Sequence, residues 1–130
     1  TEVYLILDDL NYIVKGGRAP AKIKTIANLL RLRPVLGIKN GKLKPRGVLY
    51  GKAKMVEKFT TYINKKIKVN KKYRIMIAHA NAKSKAKLLN ENLLRSNDNI
   101  EENFVLELGC ALGAHAGPGA LAVGLQEVDN

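Results

Sequence analysis

Lys39-Asn40-Gly41-Lys42 sits between two apolar runs, Pro34 to Ile38 and Leu43 to Tyr50. Asn-Gly tolerates the positive φ angles of a two-residue type I′ turn, whose twist matches that of the strands it joins. The segment therefore predicts a hairpin, and a hairpin puts two neighbouring antiparallel strands into the sheet. An all-parallel sheet is thereby ruled out.

The remaining chain supplies partners for that hairpin. Val3 to Leu7 reads as a buried strand, after which Asp8 or Asp9 caps a short helix with Leu10, Ile13 and Val14 on its apolar face. Gly16-Gly17 ends it, and Pro20 opens a second helix that carries Ile23, Ile26, Ala27 and Leu30 and closes at Arg33-Pro34. Gly51 to Lys68 places Val56, Phe59, Thr60, Ile63 and Ile67 at helical spacing, with lysines on the rest of the wheel. Tyr73 to His79 is a further strand, and Asn81 is the expected cap of a helix from Ala82 to Arg95 that turns Ala82, Ala86, Leu89 and Leu93 inward. Phe104 to Leu108 and Leu121 to Gln126 complete six strands beside about four helices. The helix between the fourth and fifth strands allows a crossover. The expected fold is a two-layer α+β domain with a mixed or mainly antiparallel sheet and helices on one face.

At 130 residues, 46% apolar and 26% charged, the chain has the composition of one globular domain with its own core. It opens on Thr1 with a strand immediately after, which reads as a piece of a longer protein. The single cysteine, Cys110, permits no internal disulfide or cysteine metal site, and Val3 to Leu7 runs into Asp8 and Asp9 without the shape of an export signal. The cytoplasm is the expected compartment. Leu108 to Leu125 holds 18 residues without a formal charge, but its five glycines, Pro118 and His115 argue against a membrane span.

That run contains the chemistry. His115 is the one imidazole in it, flanked by Gly113 and by Gly117-Pro118-Gly119. The glycines let a ligand approach the backbone, and the Gly-Pro-Gly turn can offer N–H groups to an oxygen anion. The only other histidine, His79, ends a strand and is a secondary candidate. No spacing points to zinc, no Gly-Lys-Ser/Thr marks a P-loop, and no cofactor is called for. Arg18 follows the glycine pair at a constrained corner, where a guanidinium suits a carboxylate or phosphate.

Leu7-Asp8-Asp9-Leu10-Asn11-Tyr12, Gly16-Gly17-Arg18, Arg33-Pro34-Val35-Leu36, Ala78-His79-Ala80 and Gly113-Ala-His-Ala-Gly117-Pro118-Gly119 together resemble the DegV family, in the family's order and over nearly all 130 residues. The resemblance covers only that family's C-terminal domain. It implies a bacterial cytoplasmic protein that binds a long-chain fatty acid and that in some cases serves a fatty acid kinase as its binding subunit. The acyl tail would lie in an apolar slot of this domain. The carboxylate would meet His115, with Gly117 and Gly119 shaping the turn, Arg18 supporting the head-group end, and hydroxyls coming from the N-terminal domain that the chain lacks. Ala114 and Ala116 stand where the family often has a hydroxyl residue beside the histidine.

Two other classes compete. A phosphotransfer enzyme would use His115 as nucleophile, since imidazole titrates near neutrality, although no partner carboxylate accompanies it. A nucleic-acid-binding module would use residues 39 to 74, which hold 13 Lys/Arg against the single acid Glu57. Lysine outnumbers arginine 17 to 6 and falls on a solvated helix face, which ranks nucleic acid behind the lipid reading.

Overall fold

The computed structural model describes residues 1–7, 32–39, 42–51, 53–109 and 117–128. They form strands β1 (Glu2–Ile6), β2 (Leu32–Lys39), β3 (Lys42–Tyr50), β4 (Lys72–His79), β5 (Ile100–Glu107) and β6 (Leu121–Val128), with helices α1 (Met55–Asn64) and α2 (Lys83–Ser96). The six strands make one sheet in the order β3-β2-β1-β6-β4-β5. Every neighbouring pair is antiparallel except β4 and β5, which run parallel and are joined through α2. The expected mixed, mainly antiparallel sheet and the crossover are both present. Lys39 pairs with Lys42, so the hairpin closes on two residues. Asn40 and Gly41 lie outside the described residues, as do the two helices expected between Asp8 and Arg33.

Alternation along the strands decides which residues become core. Tyr73, Ile75 and Ile77 of β4 face the same side as Tyr4, Ile6, Val35, Leu121, Val123 and Leu125, and this side receives Phe59 and Ile63 of α1 and Leu89 and Leu93 of α2. The five inward positions expected of the first helix and the four expected of the second are all buried. Buried Thr60 satisfies its hydroxyl by donating to the Val56 carbonyl one turn back, at 2.8 Å.

Four sequence expectations are corrected. The helix drawn from Gly51 to Lys68 is confined to Met55–Asn64, because Lys54 sits at φ 54 before it and the N–H groups of Lys66 and Ile67 make tightened i−3 bonds after it. Asn81 does not cap α2: it adopts φ 52, Ala82 occupies the cap position, and no side-chain cap bond serves the first turn. Arg33, expected to end a helix, lies within β2, in keeping with the extended backbone that a following proline favours. β5 also begins earlier than Phe104. Its start is held by ion pairs Lys72–Glu101 and Arg74–Glu102 to β4, both 3.4 Å, in place of apolar alternation.

Candidate functional site

The C-terminal ends of β1, β4 and β5 meet the N-terminal ends of β2 and β6 along one edge of the sheet. There the chain closes a backbone network around Ala80. The Ala80 N–H donates to Ala120 O at 3.0 Å, the Gly119 N–H donates to Ala80 O at 2.7 Å, and the Leu108 N–H donates to His79 O at 2.8 Å. Gly117 and Gly119 hold φ 81 and 89, a region that a side chain makes costly, so the Gly-Pro-Gly turn requires its glycines to dock on β4.

His79 is 5% exposed and belongs to the helix-covered side of β4. Its Nδ1 accepts the N–H of Ala82 at 3.1 Å. With Nδ1 accepting, the other ring nitrogen is left as the donor, and the side chain ties Ala82, the residue before the first turn of α2, back to the end of β4. His79 is a positioning residue: it fixes the corner where β4 hands over to α2.

Beside that corner, Asn81, Lys83, Ser84 and Lys85 of the first α2 turn line a cavity of about 540 Å³ together with Pro118 and Gly119. The first turn contains no acid, so the positive pole of a 14-residue helix faces the Gly-Pro-Gly turn without a neutralising carboxylate. At the other side of the edge Arg33 donates from Nη1 to Leu7 O at 3.2 Å. Neither Arg33 nor the α2 first turn was assigned a role in the site from the sequence, although Arg33 stands in one of the family markers. The X-Pro rule at Arg33 and the lysines after Asn81 were the available signals.

Perpendicular to this edge, the sheet face opposite α1 and α2 is apolar, with leucines and alanines along its middle. Leu5, Leu7, Leu36, Ala80 and Ala120 form a second buried cluster, against which Leu43, Leu108 and Ala122 pack. Alternation puts Ala78 and Gly124 on the same face, and at its outer side Met76, Phe104 and Leu106 are 44%, 51% and 49% exposed. The face leads directly into Ala120, Gly119 and Gly117.

Of the residues the sequence proposed for a head group, Gly117, Gly119 and His79 are brought to this edge. His115, Arg18 and Gly113 lie outside the described residues, as does Cys110. Among the described residues no group of three or more His, Cys, Asp or Glu is placed to hold a metal, and no helix is long and apolar enough to cross a membrane.

The chain matches the family model described as "Uncharacterised protein, DegV family" over residues 1–128. It is 29% identical over 121 residues to a DegV domain-containing protein of Streptococcus pyogenes, covering 92% of this chain and 41% of that protein. It is 28% identical over 124 residues to a protein of Thermotoga maritima named "Fatty acid-binding protein", covering 95% of this chain and 42% of the relative. Its fold is similar to the crystal structure of a fatty acid binding DegV family protein from Streptococcus agalactiae, with a TM-score of 0.79, 29% identity, and coverage of 99% of this chain and 45% of the other. The chain thus spans less than half the length of these relatives, of which the T. maritima and S. agalactiae proteins are named for fatty acid binding.

Proposed function

We propose that this chain, which belongs to the DegV family, is the C-terminal domain of a long-chain fatty-acid-binding protein and supplies the slot for the acyl tail. The observation that carries this reading is the apolar face of Leu5, Leu36, Ala78, Ala80 and Ala120, which ends at the Gly117–Gly119 turn. Such leucines and alanines form an apolar wall that an alkyl chain can lie along, and each methylene buried there contributes roughly 0.8 kcal/mol. The carboxylate then needs few donors at one end. In this reading His115 donates to it, Gly117 and Gly119 bring backbone close, and Arg18 supports the head group. The positive pole of α2 adds a favourable field on the same edge.

The bound fatty acid is presented to a partner kinase for acyl-phosphate formation, and the protein works in the cytoplasm. Hydroxyl residues of an N-terminal domain complete the head-group site. The names of the T. maritima and S. agalactiae relatives support fatty acid as the ligand.

Native mass spectrometry of the full-length protein expressed in bacteria tests the first step, with a co-purified fatty acid expected. A ligand-free protein without palmitate or oleate affinity overturns the reading. Replacing His115 with Gln is expected to weaken palmitate binding about tenfold, the cost of one charge-assisted hydrogen bond. Mixing the loaded protein with the kinase and ATP tests the second step, with acyl phosphate as the product to be measured.

A further inference from the structure

At the opposite end of the sheet, where β1 begins and β6 ends, lies a cavity of about 310 Å³ lined by Glu2, Tyr4, Arg46, Lys65, Lys66 and Lys68. Four cations from β3, the end of α1 and the loop after it converge there on a single carboxylate. That carboxylate is engaged, since it accepts the hydroxyl of Tyr4, which is 4% exposed. Among the described residues none of Arg46, Lys65, Lys66 and Lys68 is in an ion pair, whereas Lys72 and Arg74 on β4 are each matched by a glutamate of β5. In the cavity four cations thus face one carboxylate that is already engaged.

We propose that this cavity is a second binding site, for a ligand carrying a phosphate or pyrophosphate group, separate from the apolar slot. Lysines after a helix end are commonly explained by its negative pole, and this accounts for Lys65 and Lys66. It does not account for Arg46, which arrives from β3, or for Lys68. The floor of the cavity is tied together by ring, hydrogen-bond and cation–π contacts. Tyr4 and Tyr62 meet edge to face with ring centroids 5.7 Å apart, the Tyr62 hydroxyl donates to Arg46 O at 3.0 Å, and Lys66 Nζ stands 5.8 Å and 5.2 Å from the two ring centroids. Lys66 is thus held by cation–π attraction over the rings, and Arg46 offers a planar fork suited to phosphate oxygens. With Tyr4 buried and Tyr62 engaged by Tyr4 and Lys66, the rings are not a platform for base stacking, so the site reads anionic charge and not a nucleobase. The same cluster narrows the basic block of residues 39 to 74 to four side chains that share one cavity.

Titration calorimetry of the protein with sodium pyrophosphate at low ionic strength is the test. One saturable site is expected, weakening with added salt and weakening about tenfold in Lys66→Gln and in Arg46→Gln. Glu2→Gln, which removes the one carboxylate among the described residues that line the cavity, is expected to tighten binding severalfold, a gain that misfolding does not produce. His115→Gln is expected to leave pyrophosphate binding unchanged, which separates this site from the fatty-acid reading. Co-sedimentation with phosphatidylcholine vesicles containing phosphatidic acid, lost in Lys66→Gln, assigns the phosphate to a lipid headgroup; pyrophosphate binding without co-sedimentation assigns it to a soluble ligand. The proposal is overturned by the absence of both, by equal binding in Lys66→Gln, or by duplex DNA binding that pyrophosphate does not displace.

Discussion

The two faces of the sheet are built to different rules. The face under α1 and α2 is filled with large side chains at complete burial, among them Phe59, Ile63, Ile75, Ile77, Leu89 and Leu93. The other carries leucines, alanines and Gly124 in its middle and half-exposed Met76, Phe104 and Leu106 at its outer side. Close packing of large side chains leaves no room for a guest, so the first face serves stability. The second face has fewer large side chains at complete burial and adds less to that stability; in the proposed function it is the face that meets the acyl tail. The fold is thus anchored by large side chains on one side, while the other side carries a second, smaller buried cluster with an exposed apolar margin.

The largest expected effect falls on the anchored face. Phe59→Ala should lower unfolding stability by about 3–5 kcal/mol in urea titration, the usual cost of truncating a buried aromatic. Phe104→Ala on the opposite face should cost about 1 kcal/mol or less, and equal losses for the two would erase the distinction. Between these extremes, His79→Ala should cost about 1–2 kcal/mol through the lost bond to the Ala82 N–H, while palmitate affinity stays unchanged. A fall in affinity without a fall in stability would instead make His79 a ligand contact. Gly119→Ala should cost a similar 1–2 kcal/mol, because φ 89 is unfavourable for a residue with a Cβ, and should also weaken palmitate binding by loosening the turn.

The smallest effect is confined to alkaline pH. Burial, reinforced by the bond to Glu2, raises the Tyr4 phenol above its usual range; burial also raises Tyr62, with Arg46 opposing. The folded chain therefore keeps protons that the unfolded chain releases above about pH 10, so stability is constant below that pH and falls as pH rises through it. Tyr4→Phe should flatten that decline in thermal unfolding measured from pH 9 to 11.

Much of this plan was legible. The six strands were read as apolar runs between turn signals and the two described helices from period-3.6 apolar spacing, because burial on one side of a helix imposes that period. The start of β5 was hidden because an edge strand held by Glu101 and Glu102 has no apolar alternation to read. The cap of α2 was misread because Asn81 has the better intrinsic propensity, yet His79 reaches the Ala82 N–H once the chain turns at positive φ. For the head group, the sequence pointed to Gly117, Gly119 and His79 individually; their shared edge with Arg33 and the first turn of α2 depends on strand order, which local spacing does not encode.

By itself the sequence determined the hairpin at Asn40-Gly41, the alternation of strands and helices, and the membership that the ordered motifs around Gly117-Pro118-Gly119 imply. These are local properties, set by backbone sterics and by the period of burial. Only the tertiary structure decided that β6 returns between β1 and β4, carrying Gly119 onto Ala80 at one end of the sheet and leaving Arg46, Lys65, Lys66 and Lys68 around Tyr4 at the other. Those juxtapositions join residues far apart in the chain. They arise because the strands must all pair while each face satisfies its own packing, a condition on the whole sheet and not on any one segment.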